Sequence, residues 1–79
     1  MGKYMSKLIE AFNNKEHKKA VQIGYEEIDQ APENADLYRL TAASLLNLKK
    51  KEEAIKLYKK SIKKIKNNKE LFFDLGTIY

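Results

Sequence analysis

The sequence predicts an all-α protein built from antiparallel helical hairpins that repeat every 34 residues. Apolar residues recur at steps of three and four positions, which is typical of amphipathic helices, and no sustained period-two alternation predicts a strand. The 34-residue offset relates positions of similar packing character: Tyr4, Tyr38 and Phe72; Leu8, Ala42 and Gly76; Ala11, Leu45 and Tyr79. A fixed period of this length is typical of repeat proteins, which commonly offer a surface to a partner rather than an active site.

Five helices are expected from the apolar faces. These faces run from Tyr4 to Phe12, Ala20 to Ile28, Tyr38 to Leu46, Ala54 to Ile65 and Phe72 to Tyr79. The breaks between them fall at 13–15, 31–34, 48–51 and 67–68. Pro32 lacks a backbone N–H, which suits a position just past the end of the second helix, and Asn34 can cap the third. The break at 48–51 lacks a turn glycine and is the least sharply marked of the four.

These positions resemble those of the tetratricopeptide repeat, a helix–turn–helix unit of about 34 residues. The second unit carries residues typical of the signature sites: Tyr38, Ala42, Leu45, Ala54, Tyr58 and Ser61. The third begins with a Leu-Gly-x-x-Tyr pattern, from Leu75 to Tyr79. The first unit matches at Tyr4, Leu8, Ala20 and Pro32, but Lys7 and Gly24 stand where the family usually has large apolar residues. A glycine inside a helix costs about 1 kcal/mol relative to alanine, so we expect a close helix–helix approach at Gly24, under Tyr38 or Tyr4.

The resemblance implies one domain made of two repeats and the first helix of a third. The repeats would span about 1–34 and 35–68, and the half repeat would span 69–79. The five helices would stack as a short right-handed α-solenoid, with the first helix of each unit lining the concave face.

The concave face implied by the resemblance is the predicted site for a protein partner. Its residues would be Met5, Ile9, Phe12 and Asn13 in the first unit, Arg39, Ala43, Leu46 and Asn47 in the second, and Phe73 and Thr77 in the third. Such a face is fairly apolar and suits an extended peptide or the apolar side of a helix. The alternative, that Phe12 and Leu46 complete the interhelical core, is open at this point.

Composition narrows the function classes. The chain has no cysteine and one histidine, so neither a disulfide framework nor a zinc site is expected. No carboxylate pair, glycine-rich phosphate loop or nucleophile–base spacing is present, so we expect no enzyme, no catalytic residue and no cofactor. No apolar run approaches the ~20 residues of a membrane span, and the N-terminus lacks the apolar core of a secretory signal. We therefore expect a cytoplasmic protein with no membrane partner.

An alternative function is nucleic-acid binding by the lysine-rich fourth helix. The net charge is +5, and ten of the 16 basic residues fall between Lys49 and Lys69. Five lysines lie off the apolar stripe of this helix: Lys56, Lys59, Lys60, Lys63 and Lys64. Lysine outnumbers arginine fifteen to one, however, and no exposed aromatic residues are interleaved for base stacking. A solvated charged face is therefore the preferred interpretation, and nucleic acid is the less favoured partner.

The half repeat predicts self-association. Its helix would expose four apolar residues with no following helix to cover them: Phe72, Leu75, Ile78 and Tyr79. Repeat arrays normally need about three units and a polar end cap. Three explanations are therefore open: the chain is part of a longer repeat protein, its apolar end pairs with another chain, or the half repeat fills the groove of another copy by a swap. Self-association through this end is the hypothesis we adopt.

Overall fold

The computed structural model describes residues 6–65, which form an all-helical domain of four helices. They are α1 (Ser6–Asn13), α2 (His17–Gln30), α3 (Ala35–Asn47) and α4 (Lys51–Lys64). The described residues contain no strand. The three breaks predicted within this range are confirmed, including the glycine-free break after α3.

The prediction of a five-helix α-solenoid is wrong, because residues 6–65, the part of the chain that the structure describes, form four helices. Residues 69–79, on which the fifth helix was predicted, lie outside the described residues. The four helices form two hairpins, α1–α2 and α3–α4, that share one interface between them. Two stacked hairpins do not define a superhelix, which needs about three stacked units.

The helices pack in chain order, and the core lies between them. Helix α1 packs on α2, α2 on α3 and α3 on α4, while α1 also contacts α3. The 34-residue offset reappears in the burial of side chains. Pairs at this offset are buried together: Leu8 with Ala42, Ala11 with Leu45, Ala20 with Ala54, and Gly24 with Tyr58. The two hairpins therefore bury equivalent positions although the residues differ in size.

The turn inside each hairpin has the same geometry. Lys15 and Lys49, which are 34 positions apart, both adopt a left-handed backbone with φ of 61° and 63°. In the first turn the Glu16 amide donates to the Ala11 carbonyl at 2.9 Å. The equivalent bond in the second turn runs from the Lys50 amide to Leu45 at 2.8 Å.

Each turn is a Schellman motif, in which a left-handed residue lets later amides satisfy the last helix carbonyls. The amides of the two left-handed lysines complete it, donating to the carbonyls of Phe12 at 3.1 Å and Leu46 at 3.0 Å. This geometry explains how α3 ends without a glycine, the residue that usually occupies this position.

The loop between the hairpins is fixed by two side chains. The Asn34 Oδ1 accepts a hydrogen bond from the Asp36 amide at 3.1 Å, which confirms the predicted cap of α3. The Tyr38 hydroxyl donates to the Pro32 carbonyl at 2.7 Å, and Tyr38 is fully buried. The loop is thereby held from the buried face of α3, which sets where the second hairpin begins relative to the first.

Gly24 marks the closest approach of α2 to α3. A Cβ at this position would meet the Thr41 side chain, with its Oγ1 nearest, its Cβ at 2.9 Å and its Cγ2 at 3.0 Å. The sequence predicted a close approach here under Tyr38 or Tyr4. The close approach is confirmed, but its partner is Thr41, one turn further along α3 than Tyr38.

Candidate protein-binding face

The predicted partner face lies on α1 and α3, which are neighbours in the structure. We call it the A-helix face and define it by seven described residues: Ile9, Phe12, Asn13, Arg39, Ala43, Leu46 and Asn47. Ile9 and Leu46 are the large apolar residues that the described part of the chain exposes, at 41% and 37%. Leu46 therefore does not complete the core, whereas Phe12 is half-buried.

Half-buried and exposed residues alternate across the A-helix face. Arg39 and Ala43 are half-buried, and Asn13 and Asn47 are exposed. The Asn47 side-chain NH₂ group donates to the Ala43 carbonyl at 2.9 Å, and the side-chain oxygen Oδ1 takes no part in this bond. The face thus combines two exposed aliphatic side chains with two carboxamides, a mixture that suits a peptide backbone and its apolar side chains.

Phe12 contributes to the hairpin as well as to the face. Its ring lies edge-on to the His17 ring, with 5.9 Å between centroids and 73° between planes. This contact ties the last turn of α1 to the first turn of α2, so it accounts for the half-burial of Phe12. His17 Nδ1 is buried without a hydrogen-bond partner, which fits a packing role in this turn.

Part of the predicted site lies outside the described residues. This holds for Met5, Phe73 and Thr77 of the predicted partner face. It also holds for all four residues of the predicted self-association end: Phe72, Leu75, Ile78 and Tyr79. These assignments stay predictions.

The lysines of α4 are solvent-facing. Lys56, Lys60, Lys63 and Lys64 are exposed, as the amphipathic pattern predicted. Lys59 is exposed as well. In the first turn of α4, Glu53 accepts a hydrogen bond from the Tyr25 hydroxyl at 3.2 Å, which joins α4 to α2.

Three titratable groups at the helix contacts have shifted pKa values: Tyr25, Glu27 and Tyr38. Burial raises the pKa of Tyr25, and the charge and hydrogen bond of Glu53 raise it further. Burial also raises the pKa of Tyr38, with a contribution from Asp29. Burial raises the pKa of the Glu27 carboxyl, although the Lys7 ammonium opposes the shift. Burial is the largest cause of all three shifts, so packing between the helices accounts for them.

Sequence reasoning missed two features of the structure. The left-handed lysines were not foreseen, because lysine carries no signal for this backbone. The buried hydroxyls of Thr41 and Ser44 were also missed; both have an Oγ without a hydrogen-bond partner. The 34-residue offset offered a signal for the first, since Lys15 and Lys49 occupy equivalent positions in the two breaks.

No known family model, curated protein or solved structure matches this chain. Among residues 6–65, no three acidic or histidine side chains are grouped so as to hold a metal ion. None of the four described helices is long and apolar enough to cross a membrane. The functional interpretation therefore depends on the side chains of the described residues alone.

Proposed function

We propose that this protein is an interaction module, related to the tetratricopeptide repeats, that binds a peptide or a helix on its A-helix face. The observation that carries the proposal is the position of Ile9 and Leu46. They are the large apolar side chains exposed in the described part of the chain. Ile9 lies on α1 and Leu46 lies on α3, the two helices of this face. Exposed apolar side chains that together form a patch with a polar rim commonly mark a binding surface.

The backbone of the face supports the same function. Helices α1 and α3 each end in a Schellman turn, so the positions of Phe12 and Leu46 are fixed by backbone bonds of 3.1 and 3.0 Å. A surface held in this way loses little conformational entropy when a partner binds, which favours affinity. Asn13 and Asn47 sit beside the apolar residues and can hydrogen-bond the partner's backbone.

The proposal is tested with peptides selected from a random display library against the full chain. Ile9→Glu and Leu46→Glu place a charge in the proposed contact, and each should weaken the selected peptides by about tenfold or more. Gln22→Glu is the matched control, because it adds the same charge to an exposed position of α2. It should change the dissociation constant less than about twofold.

Backbone amide chemical shifts locate the site independently of the variants. Titration of a selected peptide should move the resonances of residues 9–13 and 43–47. Selected peptides that bind equally to the wild type and to Leu46→Glu, or that shift the resonances of α2 and α4 instead, would refute the proposed site. A library that returns no binder would count against the function itself.

A further inference from the structure

The two hairpin turns meet at one edge of the molecule. A depression of about 390 Å³ is lined by residues 15–19 of the first turn and by Leu48 of the second. A neighbouring depression of about 580 Å³ is lined by residues 49–53 and Lys56. We call the surface formed by residues 15–19 and 48–56 the turn edge. Its two segments are about thirty positions apart in sequence, and the fold brings them together.

The turn edge holds the whole net charge of the described residues. It contains seven lysines and three glutamates, a net charge of +4, and all seven lysines are exposed. The rest of residues 6–65 contains six basic and six acidic residues, so its net charge is zero. The lysines of the edge are Lys15, Lys18, Lys19, Lys49, Lys50, Lys51 and Lys56.

Two lysines and one glutamate of the turn edge have distinctive local structure. Lys15 and Lys49 are the two described residues with a left-handed backbone, a conformation that glycine adopts at lower cost. The same side chain occupies both strained positions, one in each turn. Of the three glutamates of the edge, Glu53 accepts a hydrogen bond from the Tyr25 hydroxyl of α2, so its carboxylate is engaged in a contact within the fold.

We propose that the turn edge docks peripherally on an anionic lipid surface. A cluster of four to eight basic residues suits such a surface, and each lysine near it strengthens binding by roughly fivefold. A planar array of negative headgroups can meet both turns at once without shape complementarity. This proposal departs from the expectation of no membrane partner. That expectation was based on the lack of a membrane span, and peripheral docking requires no spanning helix. It also uses a different surface from the A-helix face, which stays free for a peptide.

The chemistry of the edge favours lipid over nucleic acid. All its basic residues are lysines, whereas bidentate phosphate contacts favour arginine. The one aromatic-type ring of the edge, His17, is half-buried against Phe12 and offers no free face for stacking on a base. With bidentate contacts and base stacking set aside, the edge attracts anions through the point charges of its lysines, and this kind of attraction suits a lipid surface.

The test is flotation of the full chain with phosphatidylcholine vesicles, with or without about a third of phosphatidylserine. Binding to the anionic vesicles should be clear at about 0.05 M salt and lost at about 0.5 M, because screening shortens the reach of the lysines. Neutral vesicles should not bind. Equal binding to both kinds of vesicle, or to neither, would overturn the proposal.

Two charge-matched variants assign the effect to the edge. Lys18→Glu/Lys51→Glu reverses two lysines in the first turns of α2 and α4, where acidic residues favour the helix, so the fold is retained. Its vesicle affinity should fall about tenfold or more. Lys60→Glu/Lys63→Glu makes the same change in net charge on α4 outside the edge, and its affinity should fall less than about threefold.

An equal loss in both variants would show that net charge alone acts, and would refute the edge as the site. Tighter binding of the wild type to single-stranded RNA than to anionic vesicles, at equal phosphate concentration, would replace the lipid by nucleic acid. Neither result bears on the peptide site, which is tested separately through Leu46.

Discussion

Replacing Gly24 with alanine should destabilise the protein, although alanine is the better helix former. Alanine gains about 1 kcal/mol over glycine in a helix interior. Against this, the new Cβ would lie 2.9 Å from the Thr41 Cβ and would overlap its Oγ1. Both Cβ atoms are fixed to helix backbones, so α2 and α3 would have to separate by about 0.5 Å to restore ordinary contact.

The expected net effect follows from these two opposing contributions. Overpacking of a tight core costs about 1–3 kcal/mol. After the gain in helix propensity, the free energy of unfolding should fall by about 1–2 kcal/mol, and the melting temperature by roughly 5–10 °C for a chain of this size. Thermal and urea unfolding, followed by circular dichroism, measure both quantities. Gln22→Gly on the exposed side of α2 calibrates the propensity contribution.

A double-mutant cycle with Thr41→Ala isolates the contact. That variant removes Oγ1 and Cγ2, the two Thr41 atoms that alanine at residue 24 would crowd besides the Cβ. Gly24→Ala should therefore cost about 1 kcal/mol less in the Thr41→Ala background than in the wild type. A rise in melting temperature for Gly24→Ala alone, or an identical cost in both backgrounds, would refute the close approach as the reason for the glycine.

Three further predictions concern turns, loops and charge. Lys15→Gly and Lys49→Gly should each raise the free energy of unfolding by about 1 kcal/mol in urea titrations, because glycine removes the left-handed strain; a loss would contradict the Schellman geometry. Tyr38→Phe should lower it by about 1–2 kcal/mol by leaving a loop carbonyl unpaired, whereas Tyr25→Phe, which breaks a more exposed bond, should cost less than about 1 kcal/mol. Glu27→Gln should stabilise the protein at pH 7, because burial raises the folded-state pKa of this carboxyl and its charged form opposes folding. That gain should disappear as the pH falls through the raised pKa towards the ordinary value of 4.5, and a gain that persists at lower pH would contradict it.

The helices and their faces could be predicted from sequence because period and packing reinforce each other. The spacing of apolar residues placed Leu8, Ala20 and Tyr38 in the core, and all three are buried. The cap at Asn34 followed from a local rule, since an Asn side chain before a helix can accept from the amide two residues on. Such features depend on a few neighbouring residues, so the sequence alone carries them.

The partner of Gly24 could not be predicted in the same way. A glycine in a helix signals close approach, but the side chain that fills the space depends on the rotation and offset between two helices. One turn of α3 separates Tyr38, the expected partner, from Thr41, the observed one. The A-helix face presented a related problem for Phe12 and Leu46. They are equivalent in sequence, yet Phe12 is half-buried by its contact with His17 while Leu46 is exposed.

The two hairpins share a backbone plan but cannot exchange their side chains. At equivalent buried positions Gly24 in α2 corresponds to Tyr58 in α4, and Leu8 in α1 corresponds to Ala42 in α3, so volume is distributed differently in each hairpin. Thr41 of α3 occupies the space beside Gly24, whereas the equivalent position in α4 buries the large side chain of Tyr58. The buried positions of the two hairpins are equivalent, but the side chains that occupy them differ in volume. Each hairpin is therefore specific for its neighbour, because exchanging the two hairpins would leave a cavity or an overlap in the core. The two units are identical at only six of 34 positions, and this low identity has a physical role. It fixes the order of the hairpins, and with it the adjacency of α1 and α3 on which the A-helix face depends.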